Sequence, residues 1–490
     1  MSAPLACPRA KTPIRCGKDK TKPGNPRDER FVTSMTEEQV LEAELTWTGT
    51  RFERGVHVVV RDGVIASVGQ ALTAPTHRLS GQALLPGFVN CHSHSFQRGL
   101  RGRGETYPQG RGISSFWTWR ESMYSLVESL ETEEAFYRLA LQCFEEMRSS
   151  GITTVGEFHY LHHAPGAASF TFDDAVLRAA TAAGVRICLL NAFYNRSGFS
   201  GDEPLSTAQR RFETASVEEY FHQLDRLSAA LKPTQSLGVV AHSLRAVSVD
   251  DLGALHRGSV ERGLPFHLHI EEQPLEVQQC VAVHGMTPME LLLSTIEVDA
   301  RTTAVHCNHT TPASLRAFTR RGGNVCVCPL TEGSLGDGVM AELKACGKRV
   351  CLGTDCNARI CFLEEMRWLE YSQRLARLQR GVCVEAGDTS DEDERQADGE
   401  KAGSTEDAGA QLLHFATRVG ARSLNLPVGV IEMGRCADFC TVDLDCAALS
   451  GVDETSLAAA IVFGASAQQL IRATCVGGVW RDTASHSIMS

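Results

Sequence analysis

The sequence predicts an α/β chain: a (β/α)8 barrel of the TIM type carrying a small β-sandwich domain built from the N- and C-terminal segments. Two observations predict it. Short β-rich runs recur at 83–94, 153–160, 185–194, 236–243, 264–271, 302–307, 324–330 and 349–355, and segments of helical periodicity such as Glu134-Ala-Phe-Tyr-Arg-Leu-Ala-Leu-Gln-Cys-Phe separate them. Eight strands alternating with helices read as a barrel, with the chemistry expected at the C-terminal ends of the strands. Further β-rich runs stand at both chain ends, outside the alternation.

Residues 1–36 are rich in Lys, Arg, Pro and Gly and read as a disordered basic tail. Five prolines there oppose an amphipathic transit helix. Residues 37–84 form the N-terminal part of the small β domain. Within them, Asp62-Gly63 between two β-rich runs is a hairpin signal. The barrel is assigned to 85–424, broken by an acidic low-complexity insertion at 383–408 that contains Asp391-Glu-Asp-Glu and reads as a disordered surface loop. Residues 425–485, with Asp438-Phe-Cys-Thr-Val-Asp and Thr474-Cys-Val-Gly-Gly-Val-Trp, complete the small domain.

Composition narrows the function classes. The 490 residues are 43% hydrophobic and 22% charged, globular and long enough for a large core. A net charge of −11 gives nucleic-acid binding no global support. No apolar run reaches the length of a membrane span, and Met1-Ser-Ala-Pro opens without a signal-peptide core. The 18 cysteines, many in apolar runs (Cys188, Cys326, Cys328, Cys351), read as small core hydrophobes in a reducing compartment. Cys326-x-Cys328 has no second pair at finger spacing. A cytoplasmic protein is expected.

The polar residues at the predicted strand ends carry the functional signal. The first run ends in His92-Ser-His94, and i, i+2 side chains leave one face of a strand. The fifth ends Phe266-His-Leu-His269-Ile-Glu-Glu272, the sixth Val305-His306-Cys-Asn-His309, the eighth Gly353-Thr-Asp355. Three or four imidazoles and two carboxylates around one barrel mouth suit a hydrolytic Zn²⁺ site. A metal lowers the pKa of its water, and nearby carboxylates can move protons to a leaving group.

The chain resembles the amidohydrolase superfamily, and within it the formimidoylglutamate deiminases, over roughly residues 45–480. The motifs that carry the likeness are Pro86-Gly-Phe-Val-Asn-Cys-His-Ser-His-Ser-Phe-Gln-Arg, Phe116-Trp-Thr-Trp-Arg-Glu-Ser-Met-Tyr, Glu157-Phe-His-Tyr-Leu-His-His, Ala241-His-Ser-Leu-Arg-Ala-Val, His269-Ile-Glu-Glu-Gln, Cys328-Pro-Leu-Thr-Glu-Gly-Ser-Leu-Gly-Asp-Gly and Glu364-Glu-Met-Arg-Trp-Leu-Glu-Tyr-Ser-Gln-Arg-Leu. The resemblance implies one Zn²⁺ per chain on His92, His94, His269 and Asp355, with Fe or Mn suiting similar ligands. It implies Glu272 as proton shuttle and His306 as hydrogen-bond partner of the attacking oxygen or the tetrahedral centre. With Asp355 these make up the expected catalytic set. No lysine at the end of the fourth strand offers a carbamylated bridge between two metals, so a mononuclear site is expected.

The implied reaction takes N-formimino-L-glutamate and water to N-formyl-L-glutamate and ammonia, a step of histidine degradation, in a homodimer with no nucleic-acid or membrane partner. The substrate's two carboxylates would be held by Gln97, Arg120, Tyr160, His242 and Arg245, since Arg forks with His and Tyr donors suit carboxylates. Trp117 and Trp119 read as packing under the rim, and His159, His162 and His163 as surface or supporting residues. One departure lies beside a ligand: Cys356-Asn357 stands where the family usually has Ser-His, which alters either substrate preference or the support of the ligands. The competing readings are a guanine-deaminase-like aminohydrolase acting on a purine or other ring amine, and a binding protein on the same barrel.

Overall fold

A computed structural model describes residues 38–107, 115–166, 168–201, 203–385 and 407–483. The predicted basic tail, and residues 386–406 of the predicted insertion, lie outside them. The terminal segments contribute β1 (Gln39–Trp47), β2 (Phe52–Glu53), β3 (Val56–Arg61), β4 (Val64–Gln70) and β5 (His77–Pro86). Eight barrel strands follow: β6 (Phe88–Ser93), β7 (Ile152–His159), β8 (Arg186–Phe193), β9 (Gln235–Ser243), β10 (Phe266–Ile270), β11 (Thr302–His306), β12 (Asn324–Val327) and β13 (Val350–Leu352). The chain ends with β14 (Phe439–Asp443), β15 (Ile471–Val476) and β16 (Val479–Asp482).

β6 to β13 are hydrogen-bonded in sequence order, all in parallel pairs. Helices such as Val249–Arg262, begun by Ser248 accepting from the Asp251 amide and ended at Gly263, return the chain between them. The circle closes between β6 and β13 by one bridge, Ser93 to Asp355, made by His94 N–H to Asp355 O at 2.9 Å and Asp355 N–H to His92 O at 3.0 Å. Gly353 makes the closure possible, because a Cβ there would stand 2.7 Å from His92 Cβ and 2.8 Å from its carbonyl oxygen.

The predicted run 83–94 is two strands in two sheets. Pro86 pairs with Phe439 in the small sheet. Gly87 N–H bonds Asp438 O, whereas Phe88 N–H bonds Gly151 O in the barrel. The divide falls at Gly87, where a Cβ would lie 2.0 Å from Thr153 Oγ1. The small domain itself is one continuous ladder, β16-β15-β14-β5-β1-β3-β4. It curls on itself around Leu41, Val58, Leu84, Phe439 and Trp480, with its outer elements tied by a Val64–Cys436 bridge and by Trp480 Nε1–H to Gln39 Oε1 at 3.2 Å. The Asp62-Gly63 hairpin is present, both residues at positive φ.

A buried ion pair joins the two units. Arg186 at the start of β8 grips Asp438 with Nε–H to Oδ2 at 2.6 Å and Nη2–H to Oδ1 at 3.0 Å. Asp438 Oδ1 also accepts from Gly477 N–H. Removing one partner of such a pair strands the other charge, so Asp438→Ala is expected to lower unfolding free energy by roughly 3–5 kcal/mol. Urea unfolding checks this; a loss below about 1 kcal/mol would show that the pair does not hold the units together. Among the described residues no helix is long and apolar enough to cross a membrane, and the cysteines are free thiols, most of them buried.

Candidate active site

The strand alternation that sends His92 and His94 to one face brings both to the C-terminal mouth of the barrel. His92 Nε2 and His94 Nε2 each stand 3.2 Å from Asp355 Oδ1. From β10, His269 Nε2 lies 3.1 Å from His92 Nε2. All four side chains are buried. His94 Nδ1 and His269 Nδ1 face the Phe158 and His242 carbonyl oxygens at 2.8 and 3.0 Å. Carbonyls only accept, so these nitrogens carry the protons and both Nε2 atoms present lone pairs inward.

These donors fit a metal cation. Two imidazole nitrogens facing each other at 3.1 Å have no hydrogen bond to share when both are acceptors. Around a tetrahedral ion with bonds of about 2.0–2.1 Å, donor-to-donor edges are about 3.3 Å, close to the three separations found here. Burial, together with the neighbouring imidazoles, holds His92 down to about 3 and His269 well below the usual imidazole range. Although burial opposes it, the His92, His94 and His306 rings beside it hold the Asp355 carboxyl well below its ordinary value. Deprotonated, these are the forms that ligate. The donors that all lie within 4.8 Å of one another are His92, His269, His306 and Asp355; His94 is not one of that four and joins the cluster through Asp355 Oδ1 at 3.2 Å.

His306 and Glu272 face this cluster from the next strand ends. β10 ends at Ile270, and Glu271 at φ 52° turns the chain so that Glu272 points back. Glu272 Oε1 is 3.7 Å from His306 Nε2, which is 3.9 Å from Asp355 Oδ2. Burial lowers the proton affinity of His306, but Glu272, Glu332 and Asp355 overcome it and raise the ring to about 10. Burial raises Glu272, opposed by His306 and Arg245. His306 and Asp355 themselves sit at φ 78° and 46°, costing on the order of 1–3 kcal/mol each, as residues held for chemistry often do.

A cavity of about 520 Å³ opens beside the cluster, lined by His94, Glu272 and Asp355 at its floor. Gln97, Arg120, Tyr160, His242 and Arg245 all line it as well. Gln97 Nε2–H donates to Tyr160 Oη at 2.6 Å. Arg245 is half-buried, its Nε–H buried and unpartnered among the described residues, and its acid within ion-pair range is Glu272, 3.8 Å from Nη2. Arg120 has no ion-pair partner among the described residues and stands over Trp117, its Cζ 4.6 Å from the ring centroid. The helix Phe116–Ser129 presents Trp117, Arg120 and Tyr124 on one face at i, i+3, i+7 spacing. The packing assigned to both tryptophans holds for Trp119, which leans on the main core, but Trp117 does not belong to that cluster; both rings line the cavity.

Other supporting residues escaped sequence reasoning. Glu157 accepts from Ser93 Oγ–H at 2.7 Å and Ser95 N–H at 2.6 Å, clamping the loop that carries His94. Its only signal was its place in the Glu157-Phe-His-Tyr motif. Asn357 donates through Nδ2 to the Ser93 hydroxyl and to the His94 and Asp355 carbonyls at 3.0–3.1 Å, and its Oδ1 accepts from Thr354 Oγ1–H. The departure at 356–357 therefore lies behind the ligands and not in the cavity. His159, His162 and His163 are buried, not at the surface: His159 and His162 share Asp173 at 3.0 and 2.8 Å, and His163 Nε2–H donates to Glu213 O. His267 donates to the Ser423 carbonyl at 2.9 Å, away from the cluster.

The profile of the Amidohydrolase family matches residues 83–390. The chain is 35% identical over 457 residues to a formimidoylglutamate deiminase of Pseudomonas aeruginosa, covering 92% of this chain and 94% of that one. It is 24% identical over 398 residues to a 5-methylthioadenosine/S-adenosylhomocysteine deaminase of Pyrococcus furiosus, covering 79% and 82%. Among solved structures it is similar to an amidohydrolase from Brucella melitensis, with a TM-score of 0.77 at 30% identity over 91% of this chain and 94% of that one.

Proposed function

The chain belongs to the amidohydrolase family, and from that premise we propose that it hydrolyses N-formimino-L-glutamate to N-formyl-L-glutamate and ammonia, a step of histidine degradation. The observation that carries the reading is the pairing of one cavity with two kinds of wall. Buried imidazoles and a carboxylate stand at its floor, and two guanidiniums face the same space, Arg120 with no ion-pair partner among the described residues and Arg245 with Glu272 at 3.8 Å. An Arg fork binds a carboxylate with charge-assisted, often bidentate, hydrogen bonds. The substrate has two carboxylates for two forks, and Gln97, Tyr160 and His242 supply further polar contacts.

His92, His94, His269 and Asp355 would hold one Zn²⁺, with Fe or Mn as alternatives for the same donors. Bound there, the ion supplies Lewis acidity and brings the pKa of water toward neutrality. The chain's own groups do the rest. Glu272 takes a proton from the water that attacks the formimino carbon and passes it to the terminal nitrogen. His306 donates to the oxygen of the tetrahedral centre. That nitrogen then leaves as ammonia, and the glutamate nitrogen keeps the formyl group. A cytoplasmic homodimer belongs to the same reading.

Ammonia release and product mass from purified protein given N-formimino-L-glutamate test it. N-formyl-L-glutamate is expected; free glutamate plus formamide would reverse the proton route. A second reading, hydrolysis of a ring amine as in a purine deaminase, draws on the aromatic walls Trp117, Tyr124 and Phe212. It gives the two guanidiniums no substrate anion, and turnover of guanine with none of the formimino compound would favour it. On the first reading Arg120→Ala or Arg245→Ala removes a charged hydrogen bond worth roughly 1.5–3 kcal/mol. The value of kcat/KM should fall by about one to two powers of ten, and an unchanged value would remove that arginine from the clamp.

A further inference from the structure

Trp117 is, among the described residues, the ring that both guanidiniums face. Arg120 Cζ stands 4.6 Å and Arg245 Cζ 5.9 Å from its centroid. The two arginines come from different parts of the chain, Arg120 from the rim helix one turn after Trp117 and Arg245 from just beyond β9. Nothing covalent relates their positions. Trp117 is half-buried, lines the cavity and is absent from the main hydrophobic cluster, whereas Trp119 two residues on packs against that cluster. Phe116 meets its ring edge-on at 5.1 Å and holds its plane.

We propose that Trp117 is a positioning residue that sets the spacing and orientation of the two carboxylate-binding forks, and so selects a five-carbon dicarboxylate over its four-carbon homologue. The inference rests on the formimino-glutamate reading and deepens it. Among the described residues, Arg120 has no acid in ion-pair range and Arg245 has only Glu272 at 3.8 Å. The π-face of an indole is the strongest aromatic partner for a cation and places a guanidinium over the ring. One ring facing both forks ties their positions to each other. Two forks at a set separation accept carboxylates at one separation, and a chain shorter by one methylene reaches only one of them.

The test compares wild type, Trp117→Phe and Trp117→Leu on N-formimino-L-glutamate and N-formimino-L-aspartate, with melting temperatures recorded. Wild type should prefer the glutamate compound. In Trp117→Leu, KM for that compound should rise about tenfold or more, kcat should stay within about threefold, and the preference over aspartate should collapse. Trp117→Phe keeps a π-face and should recover most of the preference. A Leu variant with unchanged KM and preference overturns the proposal. So does one whose melting temperature falls while kcat drops equally on both substrates, since that marks a packing role. A wild-type enzyme that turns over neither formimino compound overturns the substrate reading itself, and this inference with it.

Discussion

Asp355→Ala and His92→Ala proteins are expected to fold, to purify without a tightly bound metal, and to show no detectable turnover. Asp355 Oδ1 is the atom on which His92 and His94 converge at 3.2 Å, so removing either side chain takes away one of the donors that set the cage. Wild type should carry about one metal ion per chain, lose activity on exhaustive chelation and regain it when Zn²⁺ is returned. Metal analysis and an ammonia assay decide the point. Full activity in thoroughly chelated protein would refute a metal-dependent reaction. Loss of activity with the metal retained would mean that His306, which sits within reach of the same cluster, replaces the missing donor.

Glu272→Gln should keep its metal and its substrate affinity while kcat falls by about two to four powers of ten, the usual contribution of a general acid–base group. The carboxylate stands apart from the donor set, 3.7 Å from His306 Nε2 and 3.8 Å from Arg245 Nη2. An amide fills the same space but cannot accept the proton of the attacking water. Metal content, KM and kcat measured together distinguish the roles. A variant that loses its metal makes Glu272 a ligand, and one with near-normal kcat makes it a bystander whose proton passes elsewhere.

The barrel strands were legible because each is a short apolar run bounded by polar or turn residues, and the candidate site was legible because its histidines and carboxylates stand at the ends of those runs. The residues that steady the site were not. Asn357 reaches back to Ser93 and His94 across more than 260 residues, and Arg186 meets Asp438 across 252. No periodicity announces such pairings. Asp173, which buries His159 and His162, lies in the following helix, and nothing in the local pattern marked it as their partner. The division at Gly87 was hidden for a different reason: Leu84 and Leu85 on one side and Phe88 and Val89 on the other are equally apolar, though they belong to different sheets. Trp117 and Trp119 show the limit of a motif. They are two residues apart and chemically identical, and only the packing of the fold separates a ring that faces two cations from one that leans on the core.

The single bridge at which the barrel circle meets itself has a consequence for its mechanics. Seven of the eight interstrand contacts are ladders of several pairs, and the eighth is Ser93 against Asp355. His92 and His94 lie on one lip of that joint and Asp355 on the other. A cation held by all three would tie the two lips together as a rivet ties two plates. Binding it adds RT ln(1 + [L]/Kd) to the stability of the closed form, and that added free energy acts where the backbone pairing is thinnest. The amides of His94 and Asp355, which cross the joint, should therefore exchange with deuterium faster in stripped protein than in loaded protein, while those in the middle of β8 and β9 change little. The candidate site of this barrel is also the place where its circumference is sewn shut.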